Sequence, residues 1–221
     1  MIAHWPAPTG GDEYAVAFDQ GRMRRLLILP PLFDEANKTR HTLVETMRRL
    51  DGAGIDSFLP DLPGWNESPA PLEDQTLASW REAAAQAASH FAVTHLLTVR
   101  AAAILAPPQL TGWRYAPTGG ANALRAMLRA RTIAAREAGV SESAESLLET
   151  GRADGLELAG YRLGAAMIRD LEGARLPDSG RLADLDHSTL GGPAPWLRAE
   201  PGFSAKQADA LAAFLVMGLN L

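Results

Sequence analysis

The segment at residues 93–106, VTHLLTVRAAAILA, changes from a strand pattern to a helix pattern within a single turn. Residues 93–99 are mostly aliphatic or β-branched, which is typical of a strand buried on both faces of a sheet. Residues 101–106 are helix-prone, and a double proline ends the run directly afterwards. Because no flexible residue separates the two patterns, we predict a sharp strand-to-helix turn at Arg100.

Further apolar runs on either side of this segment predict neighbouring strands. Residues 26–29 and 55–59 precede it, residues 112–116 follow it, and residues 181–188 alternate weakly as a predicted last strand. Helix patterns separate these runs, at residues 42–52, 76–91, 122–138, 141–150, 164–173 and 204–214. This alternation predicts an α/β fold, with a doubly wound, mainly parallel sheet and helices on both of its faces.

Two capping-box signatures predict where helices begin. Thr42 is followed three residues later by Glu45, and Ser204 is followed at the same spacing by Gln207. In a capping box, the first side chain accepts from the backbone N–H three residues on, and the acidic or amide side chain reaches back. We therefore predict helix starts at Thr42 and Ser204.

Length and composition limit the classes of protein to consider. The 221 residues fit a single domain spanning 1–221, in which the helical segment at about 118–175 is predicted to form a cap-like insertion. Cysteine is absent, which excludes disulfides, thiolate metal sites and cysteine nucleophiles. With 21 basic and 26 acidic residues, the net charge of −5 argues against a nucleic acid as partner.

We expect neither a membrane segment nor an export signal at the two ends of the sequence. The N-terminal residues have neither a basic leader nor an apolar core. The most apolar run, at residues 208–221, is too short to span a bilayer and contains Asp209. We therefore expect a cytoplasmic protein without a transmembrane segment, in which residues 211–219 form core or the contact of a homodimer.

The order of these elements is the central order of the α/β-hydrolase fold, here with a reduced number of strands. In that fold, the turn after the third predicted strand presents a nucleophilic serine within Gly-x-Ser-x-Gly. The corresponding residues 98–102 read TVRAA, and no Gly-x-Ser-x-Gly occurs in the chain. The guanidinium of Arg100 stays protonated and cannot act as a nucleophile, so acyl-enzyme chemistry lacks its first participant.

Motifs along most of the chain resemble those of exosortase A system-associated hydrolases of the second type. They are PPLFDEANKTR at 30–40, LPDLPGWNES at 59–68, the arginine-containing turn at 98–106, LRAMLR at 124–129, ELAGYRL at 157–163 and GPAPW at 192–196. The resemblance implies an α/β-hydrolase fold, with arginine in place of the serine. It also implies a setting, because chains of this family accompany PEP-CTERM protein export and surface-polysaccharide production.

A catalytic triad would also need an acid and a late histidine. His187 is the only histidine after Arg100, with Asp184 and Asp186 close by. On a strand, Asp186 and His187 would point to opposite faces, so we interpret His187 as a histidine at a strand end and only secondarily as catalytic. The same group lacks further ligands for a metal, and no metal or cofactor is expected.

Two classes of function remain open. The leading hypothesis is a non-catalytic or strongly divergent protein that binds a small anionic or acyl ligand, or acts as an accessory component. The alternative is a hydrolase of a small ester, thioester or acyl substrate, in which Glu35 or Asp61 activates a water molecule. The candidate ligand-binding residues are Arg100, Glu35, Asn37, Lys38, Asp61, Trp113 and Trp196.

Arg100 itself has two predicted states. The turn places it at a helix N-terminus, where the partial charge is already positive, so a negative group must compensate. A carboxylate, Glu35 or Asp61, would bind it and seal the site; otherwise Arg100 and the helix end would bind an anion. The arginines of the 122–138 helix are interpreted instead as a solvated face, namely Arg125, Arg129, Arg131 and Arg136.

Overall fold

The computed structural model describes residues 1–8, 10–178 and 180–220. Its strands are β1 (Ile2–Pro6), β2 (Asp12–Phe18), β3 (Arg25–Leu29), β4 (Asp56–Pro60), β5 (His95–Val99), β6 (Thr111–Tyr115), β7 (Leu156–Leu158), β8 (Tyr161–Leu163) and β9 (Leu182–Leu185). Its α-helices are α1 (Asp34–Gly52), α2 (Leu77–His90), α3 (Gly120–Glu137), α4 (Ala144–Asp154), α5 (Ala165–Gly173), α6 (His187–Leu190) and α7 (Ala205–Asn220). Short 3-10 helices lie at Leu72–Asp74, Arg100–Leu105 and Pro195–Leu197.

Seven strands form one sheet in the order β1-β2-β4-β3-β5-β6-β9. The five strands from β4 to β9 run parallel, whereas β1 and β2 form an antiparallel edge. The mainly parallel α/β sheet is therefore confirmed, and each of its predicted strands is present. The antiparallel edge was not predicted, because a charged residue, Glu13, takes a buried position in β2 and so hides the apolar alternation of the strand.

The two faces of the sheet bury alternate residues of each strand. Leu27 and Leu29 of β3 pack with α2, α3 and α5, while Leu26 and Ile28 pack with α1 and α7 on the opposite face. Successive side chains of a strand point to opposite faces, so a run of four apolar residues is what a sheet covered on both faces requires. Leu211, Leu215 and Leu219 of α7 lie in the second core. The prediction of a core role for residues 211–219 is thus confirmed.

The first predicted capping box is wrong. Helix α1 begins at Asp34, and Thr42 lies inside it as a buried residue whose Oγ1 has no hydrogen-bond partner among the described residues. Asp34 and Glu35 occupy the first turn, where negative side chains interact favourably with the positive end of the helix dipole. The second box is half correct: Ser204 Oγ accepts from Gln207 N at 3.4 Å, but the Gln207 side chain donates to the carbonyls of Gly191 and Pro193.

The C-terminal end of the sheet also differs from the prediction. Strand β9 ends at Leu185, and His187 begins the short helix α6 rather than closing a strand. Residues 101–105 form the rest of a 3-10 helix that starts at Arg100, and Ala106 lies just beyond its end. Arg100 therefore lies at a strand-to-helix turn, as predicted, and not inside a continuous helix.

The elements α3, α4, β7, β8 and α5 lie between β6 and β9 in the chain and outside the main sheet. Strands β7 and β8 form a small antiparallel hairpin of their own, which the sequence did not predict. This segment contacts the main body closely at Gly164, where a Cβ atom would lie 2.1 Å from the carbonyl oxygen of Glu73. No helix within residues 1–8, 10–178 and 180–220 has the length and apolar character needed to cross a membrane.

Candidate functional site

Arg100 occupies the sharp turn between β5 and the following 3-10 helix, with a positive backbone φ of 56°. This region of φ is unfavourable for a residue with a Cβ and persists only where the surrounding structure enforces it. A sharp, strained strand-to-helix turn is also the geometry that exposes the nucleophile of an α/β hydrolase. The backbone of that turn is present here, and it carries an arginine.

The guanidinium of Arg100 is held by a carboxylate in a two-point contact. Its Nε donates to Glu35 Oε2 at 3.1 Å, and its Nη2 donates to Glu35 Oε1 at 3.3 Å. Its Nη1 donates to the backbone carbonyl of Ala116 at 3.0 Å. The two side chains are only 20% and 16% exposed, so little solvent screens the pair. The structure thus has the first of the two predicted states, with Glu35 as the carboxylate.

Trp196 closes the site from the opposite side. The Cζ atom of Arg100 lies 4.5 Å from the centre of the Trp196 ring, which is cation–π distance. The tryptophan is 8% exposed and belongs to the 3-10 helix Pro195–Leu197. The guanidinium therefore has a carboxylate at its edge and an aromatic ring over its face.

His187 and Tyr115 complete this group. The Tyr115 hydroxyl lies 2.6 Å from His187 Nδ1, and His187 Nε2 lies 3.0 Å from the carbonyl oxygen of Gly192. Burial raises the pKa of Tyr115, so its hydroxyl stays protonated and donates to Nδ1, while Nε2–H donates to the carbonyl. Both imidazole nitrogens are then engaged, and the histidine ring packs edge-on against Trp196 at 5.0 Å. We call Glu35, Arg100, Tyr115, His187 and Trp196 the Arg100 cluster.

The acids near His187 do not form a triad with it. Asp184 binds Arg114, with 2.5 Å between Oδ1 and Nε. Asp186 precedes helix α6, and the partner of His187 Nδ1 is a phenol rather than a carboxylate. His187 therefore lacks the acid that would orient and stabilise an imidazolium during general-base catalysis.

Several candidate ligand-binding residues have structural partners elsewhere. Asp61 is buried and its Oδ1 accepts from Arg40 at 3.1 Å and from Asn66 at 2.6 Å, so it does not reach Arg100. The remaining candidates likewise contact other groups: Asn37 donates to the Tyr161 hydroxyl, Lys38 pairs with Asp34, and Trp113 stacks on His95 and meets Phe214 edge-on. The structure brings together Arg100, Glu35, Trp196 and His187, and leaves the others apart.

Sequence reasoning missed Tyr115 and the Ala116 carbonyl. Tyr115 is paired in register with Val99, the residue before Arg100, because β6 lies directly beside β5. That close approach depends on Gly112, where a Cβ atom would lie 2.0 Å from the Leu96 carbonyl oxygen. The presence of Gly112 in a strand pattern is a signal of close backbone approach, but it does not specify the register.

One small cavity touches the Arg100 cluster at Tyr115. It has a volume of about 10 Å³ and is lined by Val99, Tyr115 and Pro195 among others. This is the volume of about one water molecule. The loop after β3, which supplies an oxyanion-hole N–H in α/β hydrolases, begins with Pro30 and Pro31, which have no N–H to donate.

Nothing in the described part of the chain gathers three or more histidine, aspartate or glutamate side chains in a geometry that could hold a metal ion. Of the three residues that the sequence offers as a metal site, Asp184 binds Arg114, His187 binds Tyr115, and Asp186 directly precedes helix α6. What the Arg100 cluster can do chemically is hold an ion pair under an aromatic ring.

Burial raises the pKa of Glu35, and the hydrogen bond from Arg100 opposes this effect only in part. Between the ordinary pKa of 4.5 and the raised one, the folded protein keeps a proton that the unfolded chain releases. The contribution of Glu35 to stability is therefore fully present below 4.5 and falls as the pH rises through the raised pKa.

We expect this dependence to disappear in Glu35→Gln, which cannot titrate. Urea unfolding of both proteins at a series of pH values, from about 4 to about 8, measures the difference in their free energies of unfolding. The advantage of the wild-type protein over the variant should shrink as the pH rises. An advantage that stays constant, or grows with pH, contradicts the assignment.

No protein-family model and no curated protein matches this sequence. Solved structures do match its fold. The α/β-hydrolase domain-containing protein 10 from mouse aligns over 100% of this chain and 98% of its own length, with 11% identity and a TM-score of 0.57. A putative hydrolase from Agrobacterium vitis S4 aligns over 97% and 98%, with 16% identity and a TM-score of 0.50.

A hypothetical protein from Pseudomonas aeruginosa matches over 84% of this chain and 76% of its own, with 9% identity and a TM-score of 0.54. At such low identities, the likeness concerns the fold and not the activity. The sheet order, the strained turn after β5 and these likenesses lead to the same conclusion. The chain has the α/β-hydrolase fold.

Proposed function

We propose that this protein is a non-catalytic member of the α/β-hydrolase superfamily that acts as a binding or accessory component. One observation supports the proposal: Arg100, at the strained turn after β5, has its guanidinium bound at two points by Glu35 and covered by Trp196. An arginine so placed neutralises a buried carboxylate and fills the space that a substrate acyl group would need. The pair acts as a plug in the former active site.

The groups that could replace a serine are all engaged. Both oxygens of Glu35 accept from Arg100, so a water molecule would have to compete with the guanidinium for them. Asp61 accepts from Arg40 and Asn66, and His187 uses both ring nitrogens. A hydrolase acting through a carboxylate-activated water would have to break one of these contacts first, which disfavours the alternative reading.

The setting of the protein is part of the proposal. The motifs at residues 30–40, 59–68 and 192–196 resemble those of exosortase A system-associated hydrolases, which links the chain to PEP-CTERM export and exopolysaccharide production. In the structure, these three motifs supply Glu35, Asp61 and Trp196. Deleting the gene in its source organism should lower the amount of surface polysaccharide. The wild-type gene, returned to the deletion strain, should restore it.

The absence of serine-hydrolase activity is directly testable. The purified protein should neither react with a fluorophosphonate probe nor hydrolyse p-nitrophenyl esters above the buffer rate, because no nucleophile, base and oxyanion donor converge at Arg100. Intact-mass spectrometry and an esterase of the same fold, treated in parallel, provide the readout and the positive control.

Arg100→Ser is the matched variant for this assay. It should also stay unlabelled, because His187 is held by Tyr115 and Gly192 and has no acidic partner. Labelling of the wild-type protein at one serine, lost when that serine is replaced, would show that it is an enzyme. Labelling of Arg100→Ser alone would show that the catalytic base and oxyanion donors remain intact, contrary to the proposal.

A further inference from the structure

Helix α3 extends beyond the body of the protein. Its buried residues, Gly120, Leu124, Met127 and Leu128, all lie in its first half, and the helix continues to Glu137 without burying another side chain. The nine residues after Leu128 add about 13 Å of helix. A helical extension with no buried face gains little stability from packing, so its retention calls for another role.

One of its arginines ties the extension to neighbouring segments. Arg131 donates through Nε and Nη2 to the two carboxylate oxygens of Glu142, at 3.0 and 2.7 Å, and through Nη1 to the carbonyl of Glu157. This contact ties the end of α3 to the segment leading into α4 and to the hairpin of β7 and β8. The surface on the other side of the helix is therefore well positioned in space.

That other side carries a mixed stripe of cations and aliphatic groups. Arg129, Ile133 and Arg136 follow one another at spacings of four and three residues, so they lie on one face of α3, and Val140 follows just beyond the end of the helix. All four are exposed, with Ile133 at 51% and Val140 at 54%. They line an open groove of about 680 Å³ between the end of α3 and the segment that leads to α4.

Among the residues that the structure describes, the cations of this stripe have no carboxylate partner. Within residues 1–8, 10–178 and 180–220, neither Arg129 nor Arg136 forms an ion pair, whereas Arg131 does. Two acidic residues also line the groove, but Glu142 is already neutralised by Arg131, which leaves Glu137 against two free guanidinium groups. In a chain of net charge −5, this is a local surface of opposite sign.

We infer that this stripe docks an acidic amphipathic helix of a partner protein, with aliphatic residues between its carboxylates. The spacing of seven residues between Arg129 and Arg136, with Ile133 between them, is a heptad spacing that a second helix can match. Carboxylates of the partner would pair with the two arginines, and aliphatic side chains would cover Ile133 and Val140.

Other partners fit the groove less well. A membrane-binding helix places large apolar or aromatic residues opposite its cations, whereas here two β-branched residues lie among the cations in a concave surface. A single-stranded nucleic acid needs aromatic side chains for stacking, and the groove lining contains none. The inference does not depend on whether the Arg100 cluster catalyses a reaction, so the two proposals can fail separately.

A synthetic helical peptide tests the inference. We would use a fluorescein-labelled peptide of about 16 residues, with glutamate and leucine at heptad positions, and the same peptide with lysine for each glutamate. Fluorescence anisotropy should show binding of the glutamate peptide only, and salt should weaken it. Arg129→Glu combined with Arg136→Glu should raise the Kd at least about tenfold, and Ile133→Asp should also raise it.

The matched control is Arg24→Glu combined with Arg175→Glu, which makes the same change in net charge at exposed arginines elsewhere. The control should bind the glutamate peptide as the wild-type protein does. Equal loss of binding in the control, or equal binding of both peptides, would overturn the inference. So would binding, through Arg129 and Arg136, to phosphatidylserine vesicles or duplex DNA in the absence of peptide binding.

Discussion

Trp196→Ala should lower the free energy of unfolding by about 3–5 kcal/mol, the largest effect expected of a single substitution in the site. The Trp196 ring covers the guanidinium of Arg100 and packs edge-on against Tyr115 and His187. Its removal takes away the contacts of a large buried side chain and admits water to one face of the ion pair. Urea unfolding followed by circular dichroism measures the loss.

The next residue in the chain provides the control for this experiment. Leu197 belongs to the same 3-10 helix but is 80% exposed, so Leu197→Ala should change the free energy of unfolding by less than about 0.5 kcal/mol. A similar loss of stability in both variants would mean that the effect comes from disturbing the 3-10 helix and not from removing the Trp196 ring. A loss below about 1 kcal/mol in Trp196→Ala would show that the ring does not cover the cluster.

Glu35→Ala should cost about 2–3 kcal/mol, because it leaves the guanidinium of Arg100 largely buried without its carboxylate. This figure lies below the 3–5 kcal/mol typical of fully buried pairs, since both side chains keep some exposure. A glutamine side chain can still accept a hydrogen bond from Arg100, so Glu35→Gln should lower the free energy of unfolding less than Glu35→Ala does at neutral pH.

The double variant separates the ion pair from the space it fills. Arg100→Met combined with Glu35→Leu replaces both charges with apolar side chains, and it should recover most of the loss seen in Glu35→Ala. Such recovery would identify the pair as a plug whose two charges need each other. A double variant as unstable as the sum of the two single variants would contradict this reading.

The choice of carboxylate was decided by the strand order. From the sequence, Glu35 and Asp61 were equal candidates, because each follows a predicted parallel strand at the same edge of the sheet. In the structure, β3 lies directly beside β5, and β4 lies one strand further away. The segment after β3 therefore reaches Arg100, while Asp61 after β4 is bound by Arg40 and Asn66.

The errors around His187 have a related cause. The alternation at residues 181–188 suggested a longer strand, but Leu185 is the last residue that pairs with β6, and helix α6 begins two residues later. The Tyr115 hydroxyl and the Gly192 carbonyl then hold the imidazole. Tyr115 lies 72 residues before His187 in the sequence, and Gly192 lies five residues after it, beyond the end of helix α6. Local pattern carries no information about such partners.

The sequence by itself determined the α/β class, the positions of the central strands and the arginine at the turn after β5. These properties depend on apolar runs and residue types, which local interactions translate into secondary structure. Only the tertiary structure decided that Glu35 binds Arg100, that Trp196 covers the guanidinium and that the Tyr115 hydroxyl forms a hydrogen bond with His187. Those contacts join residues on different elements, and the strand order and register that bring them together arise from packing of the whole chain.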